Sequence, residues 1–207
     1  MNIVLIVFYL VILVVIITVH EFSHAWMAHT LGDLTAKREG RLTLNPLAHI
    51  DPFLTLILPI SLILLGSPVV FGAAKPVPFN PYAVKYGKFG AALVAFAGPL
   101  SNLLMAVFVG LILRFFSLGI PSGAINFLTI FVVINIAFFV FNMIPIPPLD
   151  GSRLLYAIAP PALADAMDRF ERFGIIALFL ILFIAFPVIL PFIQTVVVFF
   201  EKIIIGI

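Results

Sequence analysis

Cysteine is missing from this chain altogether, and charge is scarce. With 0 Cys there is no disulfide framework and no thiolate metal site, so any bound metal must be held by His, Asp or Glu. Charged residues make up 10% of the 207, against about 25% in an ordinary soluble domain. Such a chain cannot cover a core with a water-facing surface. The net charge of +2 is small, and no nucleic-acid partner is expected. What the chain has in excess is apolar residues, 64% of the total, in runs too many and too long for buried core helices. The expected class is an all-α polytopic membrane protein. The first apolar run has no basic stretch before it and no small-residue cleavage site after it, so it reads as a retained span rather than a signal peptide.

Four stretches are long enough to cross a bilayer. The first helix is expected over about 3–30, ending at Leu31–Asp33 where Gly32 suits a C-terminal cap. Two more are expected at about 88–114 and 124–143, the latter broken by Pro145, Pro147 and Pro148. A last apolar stretch, 174–200, is bent by Pro187 and Pro191. Whether 174–205 crosses once or twice, and whether 53–66 crosses at all, sets the expected count at four to six. Residues 34–52 lean towards β, with a short hairpin around Gly40. Residues 53–66 are apolar but, at 1.5 Å per residue, reach only about 21 Å against a core of about 30 Å. Residues 67–81 are punctuated by Pro and Gly and read as extended. Residues 161–173 place Leu163, Met167, Phe170 and Phe173 at helical spacing, an interfacial amphipathic helix. There is no internal repeat. A single domain is expected over 1–207, with a catalytic core of about 3–155 followed by amphipathic and C-terminal helices over 161–205.

Charge argues that 53–66 dips into the membrane and returns. In that case nine of the 11 Lys and Arg residues share one side, with only Arg114 and Lys202 opposite, and the positive-inside rule makes that side cytoplasmic. If the segment crosses, the split becomes six to five and the bias disappears.

The first run, "NIVLIVFYLVILVVII", passes straight into "TVHEFSHAWMAH". Each ionisable residue at membrane depth costs roughly 2.5–3.5 kcal/mol on insertion scales. Three within five residues need compensation, and metal ligation supplies it. His20 and His24 are four apart and share a helix face, so they can grip one ion. Glu21 is rotated by about 100° from His20 and can reach a metal-bound water without being a ligand. A catalytic zinc takes three protein ligands. Asp150, at the broken end of the 124–143 helix, meets that need under the re-entrant topology. His29, His49 and Asp51 are alternatives, while Asp165 and Asp168 sit on the amphipathic helix.

"HEFSH" in the first span together with "NMIPIPPLDG" at 142–151 resembles the site-2 protease family of intramembrane zinc metalloproteases. "AGPLSN" at 97–102, "GRLTLNPLAHIDP" at 40–52 and "GAAKPVPFNP" at 72–81 agree with it. They are similar to the short prokaryotic branch that lacks PDZ and CBS domains. The resemblance implies one Zn2+ per chain on His20, His24 and Asp150, with Glu21 as the catalytic glutamate. It further implies that Asn102 and Asn142 contact the substrate backbone; the alternative for each amide is to cap a helix or bridge neighbouring spans. Transmembrane protein substrates in a prokaryotic plasma membrane follow, with the site opening towards the cytoplasm.

A substrate span must unwind to be cut, and the extended segment, through Val70, Ala73 and Val77, is expected to accept it as an added strand. Two rival functions stand beside this one. The first is a membrane HExxH protease acting on misfolded or prenylated proteins. The second is a transporter or inactive scaffold that uses the buried His and Glu for proton relay.

Overall fold

The computed structural model describes residues 3–66, 72 and 74–206. No strand occurs among the described residues, and the chain divides into two compact units, Met1–Lys85 and Tyr86–Ile207.

The first unit is built on helix α1, Ile3–Thr30. One stripe of α1 is buried (Leu13, Ile17, His20, Glu21, His24 and Ala28), while Val7, Val11, Val15 and Trp26 face outwards. The chemistry-bearing residues thus continue the buried apolar stripe, as expected of a polar cluster at depth. The expected cap at Gly32 is present. The Asp33 N–H reaches the Ala28 carbonyl at 3.0 Å and the Gly32 N–H reaches His29 at 3.1 Å, the paired closure that ends a helix in a left-handed residue.

A short helix, α2 (Thr35–Arg38), stands where a β-hairpin was expected. Gly40 has φ +69°, which a hairpin could also have used. It serves here as a second helix terminator, with Arg41 N–H on Ala36 and Gly40 N–H on Lys37. The helix prevails because buried Asp33 accepts both the Thr35 N–H, at 2.9 Å, and the Thr35 hydroxyl, at 2.6 Å, and so nucleates the turn. A 3-10 turn follows at Pro46–Ala48, capped by Asn45.

The apolar segment begins at Asp51, which accepts the N–H groups of Phe53 and Leu54. It runs through a wide helical turn, Pro52–Ile57, into α3, Leu58–Leu64. At 1.5 Å per residue the two together are about 20 Å long, short of a bilayer core. Residues 74–80 have no regular secondary structure.

The second unit holds α4 (Gly87–Phe116), α5 (Ser122–Asn142), α6 (Asp150–Ile158), α7 (Pro161–Glu171) and α8 (Gly174–Ile204). Gly98 and Pro99 lie within the unbroken α4 and are buried. α4 packs on both α5 and α6, and α5 packs on α8. Ala106, Leu113, Val132, Ile136, Val197 and Ile204 form the core between α4, α5 and α8. The amphipathic helix expected at 161–173 is α7. It is joined to α6 by an Arg153–Glu171 ion pair and by the Tyr156 hydroxyl on Asp168 at 3.4 Å. Among the described residues four helices are long and apolar enough to cross a membrane: those over 6–30, 87–119, 122–142 and 187–204.

Candidate metal centre

The centre begins with a spacing. Residues four apart on a helix stack one turn above the other, and His20 and His24 bring their Nε2 atoms to 3.0 Å with the rings edge to face. Two nitrogens bound 2.0–2.1 Å from one tetrahedral zinc stand about 3.3 Å apart, so the pair fits a shared ion. His20, Glu21 and His24 are 6%, 8% and 9% exposed, which leaves them little water as an alternative partner.

Glu21 has a backbone partner of its own. Its Oε2 accepts the backbone N–H of Val77 at 3.0 Å. Val77 was expected to offer its backbone to a substrate strand; its N–H goes to the catalytic candidate instead. Val70 and Ala73, the other members of that expectation, lie outside the described residues.

Asp150 belongs to the second unit. It is half-buried and opens the first turn of α6, where a carboxylate gains from the unpaired N–H groups and dipole of the helix. Its neighbour Gly151 explains the "DG" pair. A Cβ at 151 would come within 2.3 Å of the Met143 carbonyl oxygen and 2.8 Å of that of Ile144. Only glycine lets the turn after α5 fold back against the start of α6. Ser152 closes the corner, giving its hydroxyl to the Leu149 carbonyl at 2.6 Å.

Asn102 is fully buried, and its Nδ2 donates to Asn135 Oδ1 at 3.3 Å across α4 and α5. Asn135 in turn donates to Phe131 of its own helix at 2.9 Å. Asn142, in the last turn of α5, is half-buried and gives an Nδ2 hydrogen to the Phe138 carbonyl at 3.0 Å. Asn135 was not singled out in the sequence. Its signal was available: a lone amide at the centre of an apolar span needs a partner.

Of the alternative ligands, His49 is fully buried with Nε2 2.8 Å from the Thr43 carbonyl. Asp51 is occupied with helix capping. Asp33, in the turn beyond α1, was not anticipated as a structural hub. Burial alone would raise its pKa. The hydrogen bonds from the Thr35 hydroxyl and from the N–H groups of Asn80 and Thr35, with the Arg38 charge, outweigh this and hold it below the ordinary carboxylate value.

Two histidines one turn apart with a glutamate between them, carried on a membrane-length helix, define a metallopeptidase class. The profile of Peptidase family M50 matches residues 119–186. The chain is 41% identical over 185 residues to "Putative zinc metalloprotease YwhC" of Bacillus subtilis (strain 168), covering 85% of this chain and 80% of that protein. It is 31% identical over 166 residues to "Putative zinc metalloprotease Rip2" of Mycolicibacterium smegmatis, covering 79% of this chain and 61% of the relative. A protein of the same name from Mycobacterium tuberculosis is 32% identical over 166 residues, covering 80% and 62%. No solved structure matches the chain. The chain belongs to peptidase family M50, the site-2 protease family, and is a membrane-associated peptidase of the zinc metalloprotease type.

Proposed function

We propose that this protein is an intramembrane zinc-dependent endopeptidase that hydrolyses peptide bonds in or near the transmembrane segments of membrane-protein substrates. One observation carries the reading. The two His Nε2 atoms stand 3.0 Å apart on the buried face of a 28-residue apolar helix, with Glu21 beside them. A proton relay has no need of two imidazoles converging on one point, whereas a divalent ion does.

His20, His24 and Asp150 are the ligands in this proposal, two imidazoles and one carboxylate. Three protein donors leave an open position, the arrangement of catalytic rather than structural zinc. When bound, the ion supplies Lewis acidity that polarises the scissile carbonyl and acidifies an attacking water.

The chain's own residues do the rest. Glu21, with Oε2 engaged by Val77, takes the water's proton on Oε1 and returns it to the leaving amine. The oxygen of the tetrahedral intermediate needs a further donor. Asn102 and Asn142 each have Nδ2 in a hydrogen bond; Asn142 is the better candidate for that role because it is half-buried whereas Asn102 is fully buried. The bias of basic residues supports a site opening towards the cytoplasm, and the bacterial sources of the relatives support a prokaryotic plasma membrane. The short 52–64 segment supports the re-entrant topology on which that bias rests.

The experiment is cleavage of a model transmembrane substrate by purified protein, wild type against Glu21→Gln. General acid–base catalysis contributes about 10²–10⁴-fold, so the variant should fall by at least that range's lower end while its zinc content is retained. Equal cleavage by the two proteins would refute the proteolytic role of Glu21. A protein that binds zinc and cuts nothing would favour the scaffold.

A further inference from the structure

The stretch over residues 75–85 is held to the rest of the first unit at several points, one of them on Glu21. The Lys75 N–H donates to the His49 carbonyl at 2.9 Å, and the Lys75 carbonyl accepts from the Arg41 guanidinium. Two residues on, the Val77 N–H donates to Glu21 Oε2 at 3.0 Å. Three further on, the Asn80 N–H donates to Asp33 Oδ2 at 2.6 Å, and the Lys85 N–H then reaches the Leu31 carbonyl at 2.9 Å. Asp33 and Arg41 are 1% and 5% exposed. Burying a charge is costly unless it is hydrogen-bonded, and here, while Asp33 Oδ1 serves Thr35, the Arg41 guanidinium and Asp33 Oδ2 serve backbone groups of this stretch.

Its sequence, "KPVPFN", suits the same purpose. Pro76 and Pro78 force the residues before them, Lys75 and Val77, into extended backbone. They also remove N–H groups at the alternate positions. A strand that receives a partner must present donors at alternate residues. This one has prolines there and gives the Lys75, Val77 and Asn80 amides to its own chain, so it is poorly made as a template and well made as a fixture.

We propose that residues 75–80 are a backbone clamp for the catalytic carboxylate. Val77 is its positioning residue, acting through its N–H, and Asp33 and Arg41 hold its two ends. The inference rests on the reading of Glu21 as the general base. The clamp commits Oε2 to a fixed donor and restricts the side chain to rotamers in which Oε1 carries the proton. Placement matters at this level, because a shift of about 1 Å in a reacting group can cost about a hundredfold in rate.

Proline at 77 tests this directly. Val77→Pro deletes one N–H in backbone that Pro76 and Pro78 already hold extended, whereas Val77→Ala keeps the N–H and loses only side chain. Both are purified with zinc and assayed on the model transmembrane substrate. The kcat of Val77→Pro is expected at least tenfold below that of Val77→Ala, with KM values within about threefold of each other and equal zinc content. In parallel, hydrogen exchange at the Val77 amide should be slow in wild type and in Glu21→Gln, whose side-chain oxygen still accepts. It should be at least tenfold faster in Glu21→Ala.

Equal kcat for the two Val77 variants would overturn the clamp, and so would equal exchange in the two Glu21 variants. A rise in kcat would replace it with an inhibitory latch, and a rise in KM alone would restore the substrate strand. Should Val77→Pro fail to fold, the exchange comparison decides. If Glu21→Gln is inactive while Val77→Pro keeps full kcat, the clamp fails and the protease stands; if Glu21→Gln itself cuts, the failure is that of the proposed function.

Discussion

The two units of this protein keep their buried polar groups for different ends. In the first, Asp33, Arg41, His49 and Thr55 are each at most 5% exposed, and each of the first three has a bond to irregular backbone, at Asn80, Lys75 and Thr43. In the second, the core between α4, α5 and α8 is apolar, and its buried amides, Asn102 and Asn135, meet each other. Helices satisfy their own N–H and C=O groups, whereas irregular chain in an apolar setting must have them satisfied by something else. The first unit therefore invests side chains in fixing a loop beside Glu21, and the second invests apolar area in packing helices. The difference implies that polar substitutions should be felt as lost chemistry in the first unit and as modest lost stability in the second.

The largest departure is expected where the proposed ligand set draws on the second unit. Gly151→Ala puts a methyl against backbone oxygens at 2.3 and 2.8 Å, and backbone cannot step aside as a side chain can. Overpacking of this kind costs about 1–3 kcal/mol or more, and it falls on the turn that carries Asp150. Cleavage should drop at least tenfold, measured alongside thermal unfolding; an active variant with a wild-type Tm would show that the corner is not needed.

Next comes Asp33→Ala, which leaves the Asn80 and Thr35 N–H groups without their acceptor. An unsatisfied buried donor costs about 1–3 kcal/mol. The expected sign is a loss of kcat out of proportion to the loss of stability, since Asn80 lies three residues from Val77. If Asp33→Ala destabilises without touching kcat, the contrast between the units is wrong on the side that matters.

Asp33 also fixes a pH dependence. Its folded pKa is depressed, so its contribution to stability is fully present above the unfolded value of about 3.9. It is lost as pH falls below that and through the folded value. Acid unfolding of wild type should therefore steepen below about pH 4 relative to Asp33→Asn, with the two curves differing by a constant above it. The smallest effect is expected of Asn135→Leu. Hydrogen bonds between membrane helices average about 0.6 kcal/mol, up to about 1.7, so unfolding should shift slightly with cleavage intact.

Much of this was legible from the residues. The length of α1, its Gly32 terminator, the amphipathic α7 and the shared face of His20 and His24 all follow from local periodicity and turn chemistry, and all are found. Three things were not legible. The 34–52 stretch has β-leaning residues, but the buried Asp33 just ahead of it tips its first residues into α2 instead. Helix α6 was passed over because the prolines at 145, 147 and 148 were read only as a stop. They are equally a run-up to a helix whose first turn carries Asp150. The Val77–Glu21 bond joins positions 56 residues apart through a backbone amide, and an amide has no residue type by which a sequence can announce it.

The account depends on one ion held by two imidazoles and an aspartate. Zinc per chain, by elemental analysis of active wild type and of Asp150→Ala purified in parallel, tests it most directly. One zinc in the wild type and a marked loss in the variant is the predicted result. Full occupancy in Asp150→Ala, or active wild type without metal, would contradict it.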